Sequence, residues 1–221
     1  MPERIHYINR LILQGEGRHI DFKYEISDAR KIARTFVAFA NTDGGTLLIG
    51  VKDDGTIAGI QSEEEKFMAR SAVDLYCRPK IDYSSKTWVI NKKVVLEIKI
   101  PRGAEQPYMA HTEENKWRAF IRVNDQNILA HRILVKALRR KNSPDGTYIT
   151  YGDNERKLLE YLEHSDSITL SEYSRIAGIP GKKAEAVLVN FLSLGIITQE
   201  MAEHSIVFKL SQGFIENELP I

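Results

Sequence analysis

Three acidic residues, Glu16, Asp21 and Asp53, could supply the carboxylates of a metal-dependent phosphodiesterase. Asp21 lies in the alternating segment HIDFKYEI, where Lys23 shares its side, and Asp53 follows the apolar segment GTLLIGV. If these segments are neighbouring strands, the carboxylates converge at one end of a sheet. Mg²⁺ and Mn²⁺ prefer oxygen ligands, and a carboxylate cluster with a lysine suits phosphodiester hydrolysis. Acids are also common at strand ends and in Asp-Gly turns for turn geometry alone, so the spacing leaves both interpretations open.

A glycine turn, NTDGG at 41–45, is a second candidate because such turns can cradle phosphate. It lacks the G-x-x-x-x-G-K-[ST] pattern, and it follows a helix carboxyl end, where the helix dipole repels phosphate. We expect the glycines to end that helix and to begin a closely packed strand. An ATP site is therefore the least favoured of the functions considered.

Hydrophobic periodicity predicts the elements that would position these residues. The apolar residues of GTLLIGV fall on both faces, which is typical of a central strand covered on both sides. The other predicted features are a helix ending near Leu13, a strand over 19–26, a helix capped by Ser27 and ending at Asn41, a turn at Asp54 and Gly55, a helix stopped by Pro79, two strands joined at Asn91 and Lys92, a strand over 116–124 and a helix with a basic end over 128–141.

The character of the sequence changes at a Pro-Asp-Gly turn, which predicts a first domain over 1–141, a linker over 142–152 and a second domain over 153–221. The second domain contains three helix-like segments, one of them capped by Thr169, and then two strands around a turn near Ala202 and Glu203. This is the order of a winged helix-turn-helix.

The net charge of +1 conceals an uneven distribution. Residues 1–150 hold 25 Lys and Arg against 19 Asp and Glu, giving +6, whereas residues 151–221 hold 6 against 11, giving −5. A polyanion would be drawn to the basic part by phosphate contacts and counterion release. Our candidates for nucleic-acid contacts are Arg18, Lys23, Lys52, Arg118, Arg122, Lys182 and Lys183. The acidic second domain leaves DNA contact and dimerisation equally open.

Composition excludes several classes of protein. Cys77 is the only cysteine, which rules out an intramolecular disulfide and a cysteine-based zinc site, and we expect it to be buried. The sequence has no apolar run long enough to span a membrane, and its start is unlike a signal peptide. We therefore expect a cytoplasmic protein with no membrane partner.

Four segments, EGRHIDFK, FVAFANTDGGTLLIGVKDDGTIAGI, IPRGAEQPY and FIRVNDQN, resemble the Schlafen-type, AlbA-like DNA-binding domain over roughly residues 10–140. In bacterial proteins this domain is often followed by a winged helix. The resemblance implies an α+β fold with a mixed sheet and a nucleic-acid-binding function. Bacterial members are commonly labelled transcriptional regulators or ATP-binding proteins, largely by analogy.

Some Schlafen proteins are metal-dependent RNases that act on transfer and ribosomal RNA. They use two acids in an E-x-x-x-x-E-F-K pattern and an aspartate after the Gly-Val of the apolar strand. Glu16 matches the first acid, Asp53 the third and Lys23 the lysine, whereas Asp21 replaces the second glutamate and is one methylene shorter. The resemblance implies Mg²⁺ or Mn²⁺ as a cofactor only if this chain is a nuclease.

The leading hypothesis is a nucleic-acid-binding protein, specifically a DNA-binding transcriptional regulator. The alternative is a metal-dependent endoribonuclease that uses Glu16, Asp21 and Asp53 with Lys23, so the sequence leaves enzymatic activity open. DNA is the favoured partner, RNA the second choice, and a homodimer is an option through the second domain.

Overall fold

The computed structural model describes residues 6–60, 63–144, 150–202 and 205–215. The chain divides into two compact units, Met1–Ala130 and His131–Ile221. The predicted α+β class with a mixed sheet is confirmed, since parallel and antiparallel strand pairs occur together in the main sheet.

Helices and short strands alternate in the first unit. In chain order it contains α1 (Tyr7–Gln14), β1 (Ile20–Lys23), α2 (Ala29–Asn41), β2 (Gly45–Ile49), α3 (Glu64–Tyr76), β3 (Cys77–Arg78), β4 (Ser84–Ile90), β5 (Lys93–Ile100), β6 (Met109–His111), β7 (Trp117–Arg118), β8 (Phe120–Val123) and β9 (Gln126–Leu129).

The main sheet has the strand order β1-β2-β5-β4, with β1 parallel to β2 and the other pairs antiparallel. Leu47 and Ile49 of β2 pack with α2 and α3 on one face, and Leu48 packs with Ile8 of α1 on the other. The prediction of a central strand covered on both sides is therefore confirmed. Strand β1 lies at one edge of this sheet and β4 at the other.

Helix α2 ends at Asn41 as predicted, but it begins one residue later than expected. Asp28, and not Ser27, is the N-cap, and its carboxylate accepts hydrogen bonds from the backbone N–H groups of Arg30 at 2.8 Å and Lys31 at 3.4 Å. A carboxylate at this position also suits the positive end of the helix dipole.

Two strand regions of the first unit differ in how well the sequence predicted them. The turn at Asn91 and Lys92 joins β4 and β5 as expected, with both residues at positive φ. The strand predicted over 116–124 is instead broken at Ala119, because β7 pairs with β6 whereas β8 pairs with β9. The last two residues of β9, Ile128 and Leu129, are ones that the sequence placed at the start of a helix.

The second unit contains α4 (Arg132–Lys141), α5 (Asp153–His164), β10 (Ile168–Thr169), α6 (Leu170–Ala177), α7 (Gly181–Leu194), β11 (Ile197–Met201), β12 (Ile206–Leu210) and α8 (Gln212–Ile215). Strands β10, β12 and β11 form an antiparallel sheet. Thr169 caps α6 as predicted, since its hydroxyl accepts from Glu172 N–H at 3.2 Å while Glu172 accepts from Thr169 N–H at 2.8 Å. The predicted turn near Ala202 and Glu203 lies partly outside the described residues.

Helix α4 packs within the second unit, although the sequence placed it at the end of the first domain. Ile133 and Ala137 belong to the hydrophobic core of the second unit. Glu185 of α7 accepts from Lys136 at 2.6 Å and pairs with Arg132 at 2.7 Å. The division after Ala130 thus differs from the predicted boundary after residue 141, and the predicted linker lies partly outside the described residues.

Cys77 is buried, which confirms the interpretation of this residue as a small apolar side chain. Burial raises the pKa of its thiol to about 12, so the reactive thiolate is suppressed. Within the described residues, the helices are too short or too polar to cross a bilayer.

Candidate nucleic-acid interface

Glu16, Asp21 and Lys23 come together at the edge strand β1. Lys23 Nζ lies 3.1 Å from Asp21 Oδ2 and 3.9 Å from Glu16 Oε1, so Asp21 and Lys23 share one side of the strand as predicted. The Glu16 carboxylate also accepts a 2.8 Å hydrogen bond from the backbone N–H of Phe22. Two of the three predicted acids and the predicted lysine are therefore neighbours.

The same side chains complete the hydrogen bonding of a strand that has a neighbour on one side only. Glu16 accepts from the Phe22 N–H, Lys23 Nζ donates to the Phe22 carbonyl at 2.6 Å, and the Ile20 carbonyl accepts from the Gly17 N–H at 2.9 Å. An edge strand otherwise presents unpaired donors and acceptors to other chains. Glu16 and Lys23 thus have a structural role that the sequence did not suggest.

Arg122 is buried, with 2% of its surface exposed. Its Nε donates to the Gly17 carbonyl at 3.0 Å, its Nη1 to Asn127 Oδ1 at 3.0 Å, and its Nη2 to Asp21 Oδ1 at 3.0 Å. This geometry corrects the prediction that Arg122 contacts nucleic acid, because its donors are directed at internal acceptors. Arg122 instead holds the Asp21 carboxylate in place.

Glu16 sits in an environment that disfavours its charged form. Burial raises the pKa of the Glu16 carboxyl above its usual range, and the neighbouring Asp21 carboxyl raises it further. The Phe22 N–H and Lys23 act in the opposite direction. A carboxyl with a raised pKa beside a second carboxyl is the chemical feature that would favour catalysis at this position.

Asp53 lies on an exposed turn after β2. Gly55 has φ +80° there, and Asp54 Oδ1 accepts from the Thr56 N–H at 2.8 Å, so the turn is fixed by Asp-Gly geometry as predicted. Among the residues that the structure describes, which include all three predicted acids, no group of three His, Cys, Asp or Glu side chains is placed to hold a metal ion. Both Asp21 oxygens already face Arg122 or Lys23. The Asp21 carboxylate is thus engaged by two cations in this structure.

The glycine turn serves helix termination and strand entry, as the sequence predicts. Gly44 has φ +77°, its N–H donates to the Phe39 carbonyl at 2.9 Å, and a Cβ there would lie 2.7 Å from the Ile100 carbonyl oxygen. The turn borders a pocket of about 520 Å³. The pocket is lined by Asp43 and Asp82 as well as by His19 and Lys99, so its lining carries both signs of charge.

The other predicted nucleic-acid contacts differ in whether their charge is available. Arg18 Nη2 lies 2.6 Å from Asp43 Oδ2, and Lys23 is held by the contacts described above. Lys52 and Arg118 are exposed in the first unit, and Lys182 and Lys183 are exposed in the first turn of α7. Within the described part of the chain, Arg118, Lys182 and Lys183 have no acidic partner.

A row of neighbouring cationic and aromatic side chains was missed in the sequence analysis. Arg30 lies 5.1 Å from the Tyr76 ring, the rings of Tyr76 and His111 are 6.3 Å apart, those of His111 and Trp117 are 4.9 Å apart, and Arg78 lies 4.3 Å from the Trp117 ring. We call these five residues the aromatic row. They come from α2, α3, β3, β6 and β7, so their spacing in the sequence gives no signal of their proximity.

Two solved structures are similar to this chain at low sequence identity. The crystal structure of the DIP2311 protein from Corynebacterium diphtheriae is 22% identical, with a TM-score of 0.46, and the match covers 67% of this chain and 30% of that one. The solution NMR structure of the N-terminal domain of an "ATP-dependent DNA Helicase RecG-related Protein" from Nitrosomonas europaea is 18% identical, with a TM-score of 0.40, and the match covers 58% of this chain and 97% of that one.

A comparison with protein-family models gives a direct assignment. The model described as Schlafen, AlbA_2 matches residues 16–131, which is more than half of the chain. The matched region begins at Glu16 and includes Asp21, Lys23, Arg122 and the aromatic row. The chain therefore belongs to the Schlafen AlbA_2 family.

Proposed function

We propose that this chain binds nucleic acid and, more specifically, that it is a DNA-binding transcriptional regulator. The observation that carries the proposal is a set of cations in the AlbA_2 region, Arg30, Arg78 and Arg118, that have no acidic partner within the described residues. An arginine without a carboxylate partner keeps its planar fork of N–H donors for phosphate oxygens.

Contrast with other cations of the same unit strengthens this argument. Arg18 is neutralised by Asp43, Lys23 by Asp21, and Lys80 by Asp74 at 2.7 Å. A cation that already has a carboxylate partner gains little from a phosphate, because one contact replaces another. Binding is therefore expected at the unpaired arginines and not evenly over the basic residues.

The second unit supports the more specific part of the proposal. Its helices α5, α6 and α7 are followed by the strands β11 and β12, which is the element order expected of a winged helix-turn-helix. In that interpretation α7 is the recognition helix, and Lys182 and Lys183 lie in its exposed first turn. Dimerisation through this unit is the alternative that remains from the sequence.

A salt titration tests the proposal. We expect the chain to bind a DNA duplex at low ionic strength, with the logarithm of the binding constant falling linearly with the logarithm of salt concentration at about 0.9 per phosphate contact. The variant Arg118→Ala is expected to reduce that slope by about 0.9, the value for one phosphate contact. Arg18→Ala should change the slope much less, because Asp43 already neutralises the Arg18 charge. Absent or salt-independent binding to both DNA and RNA would overturn the proposal.

The endoribonuclease alternative is favoured by the adjacent Glu16 and Asp21 carboxyls beside Lys23. Asp53→Ala is the informative variant, because Asp53 is exposed whereas Asp21 is buried. If the chain only binds nucleic acid, structured RNA incubated with Mn²⁺ stays intact with both wild type and variant. Cleavage that is lost in Asp53→Ala would favour the nuclease, and equal cleavage by both proteins would exclude a role for this residue.

A further inference from the structure

We propose that the aromatic row, Arg30, Tyr76, Arg78, His111 and Trp117, binds single-stranded nucleic acid, with its rings stacking on unpaired bases and its arginines contacting phosphates. The inference rests on the proposed nucleic-acid-binding function and assigns that function a site and a form of ligand. The five residues are distinct from Glu16, Asp21 and Lys23 at the edge strand β1.

Three members of the row, Arg78, His111 and Trp117, lie on one face of the small sheet β3-β6-β7. Cys77 of β3 is opposite Ala110 of β6, and both are buried toward the core. Successive side chains of a strand point to opposite faces, so Arg78 and His111 point outward, and Trp117 is opposite His111. Strand alternation therefore brings the outward residues to one accessible surface.

The charges of the row suit a polyanion. Arg30 and Arg78 are held against aromatic rings and have no acidic partner within the described residues. Arg34, one turn after Arg30 on α2, differs because it pairs with Glu113. A guanidinium stacked on a ring keeps the N–H groups at its edge available for phosphate oxygens, while its orientation is already fixed.

The rings suit unpaired bases better than a duplex. Tyr76, His111 and Trp117 are half-buried, so each keeps part of its surface exposed. In a duplex the base faces are covered by neighbouring base pairs, whereas in a single strand they can stack on aromatic side chains, independently of sequence. In the free chain Arg78 covers one face of Trp117. When a strand binds, a base takes the place of Arg78 on the Trp117 ring and a phosphate pairs with the Arg78 guanidinium. Trp117 and Arg78 therefore each keep a partner.

Trp88 provides a matched control within the same unit. It is also half-buried beneath a cation, since Lys86 Nζ lies 3.9 Å from its ring. However, its indole N–H donates to the buried carboxylate of Glu97 at 2.8 Å, which places a negative charge beside the ring. Trp88 therefore shares the ring and cation of the row but lacks its unpaired arginines.

The experiment uses the fact that the chain has two tryptophans. Trp88→Phe leaves Trp117 as the sole tryptophan, and Trp117→Phe leaves Trp88. Each variant is titrated with a 12-nucleotide thymidine oligomer at low salt while tryptophan fluorescence is recorded. We expect marked quenching in Trp88→Phe, because stacking on a base quenches Trp117, and little change in Trp117→Phe.

A second pair of exposed substitutions measures affinity without disturbing the core. Arg78→Ala is expected to weaken binding of the oligomer about tenfold and to lower its salt slope by about 0.7, the value for one phosphate on a single strand. Lys86→Ala should leave both quantities unchanged.

The outcomes separate this inference from the proposed function. If wild type binds the oligomer but the fluorescence of the two single-tryptophan variants is quenched equally, the site is elsewhere and the proposed function stands. The same conclusion follows if Arg78→Ala binds the oligomer as well as wild type. If wild type binds neither the oligomer nor a duplex at low salt, the proposed function fails and the inference fails with it.

Discussion

Replacing Arg122 with alanine is expected to lower the free energy of unfolding of the first unit by about 3–5 kcal/mol, which is the usual cost of removing one partner of a buried ion pair. The guanidinium joins the loop before β1, the β1 edge and the β8-β9 hairpin through Gly17, Asp21 and Asn127. Its removal leaves the Asp21 carboxylate without its main partner, although Asp21 is only 2% exposed. Lys23 is then the remaining cation beside Asp21, at 3.1 Å.

Arg118→Ala is the matched control, because Arg118 is the same residue type near the same strand but is exposed. We expect its effect on stability to stay within about 0.5 kcal/mol. Urea denaturation followed by tryptophan fluorescence measures the first unit, since Trp88 and Trp117 both lie there. A loss below about 1 kcal/mol for Arg122→Ala would mean that Arg122 does not hold these elements together.

The result also bears on the candidate site. Because Arg122 and Lys23 fix the Asp21 carboxylate from two sides, a substitution at Asp21 changes the fold before it reports on catalysis. Loss of RNA cleavage in an Asp21 variant would therefore not identify a catalytic residue unless stability were measured in parallel. Asp53, which is exposed, does not have this difficulty.

Features that depend on neighbours in the sequence were predicted well. Alternation placed Asp21 and Lys23 on one side of β1, and a two-face apolar pattern identified β2 as a central strand. The Asn91 and Lys92 turn followed from residues that tolerate positive φ. In each case a pattern a few residues long is sufficient, because the physical constraint acts within the element itself.

Arg122 was misplaced because its environment is set by distant residues. Residue type predicts an exposed arginine, but Arg122 lies on the buried face of β8, which packs on α2. Its burial is tolerated because acceptors such as Asp21, about a hundred positions earlier in the chain, satisfy its donors. The aromatic row is unpredictable for the same reason, since strand pairing brings His111 and Trp117 together.

The charge distribution shows how the position of a domain boundary affects a functional argument. Divided after Ala130, the first unit holds 20 Lys and Arg against 18 Asp and Glu, giving +2, and the second holds 11 against 12, giving −1. The predicted contrast of +6 and −5 arose from assigning the basic helix α4 to the first domain. The case for nucleic-acid binding therefore depends on where individual unpaired cations lie, and not on net charge.

Ile133→Ala tests the placement of α4. Ile133 is completely buried in the core of the second unit, and truncating such a residue typically costs about 2–5 kcal/mol. We expect this loss in the second unit alone. The change would be visible by circular dichroism, since the second unit is rich in helix, whereas the tryptophan fluorescence transition of the first unit should stay in place.

Ile176→Ala is the control for this prediction, because Ile176 lies on α6 in the same unit but is 37% exposed. Its effect should remain below about 1 kcal/mol, since little apolar surface is lost from the core. If Ile133→Ala instead shifts the tryptophan transition by as much as the circular dichroism transition, α4 stabilises the first unit. The domain boundary after residue 141 would then stand, with 25 Lys and Arg against 18 Asp and Glu in residues 1–141, giving +7. The expectation that a polyanion is drawn mainly to the first domain would stand with it.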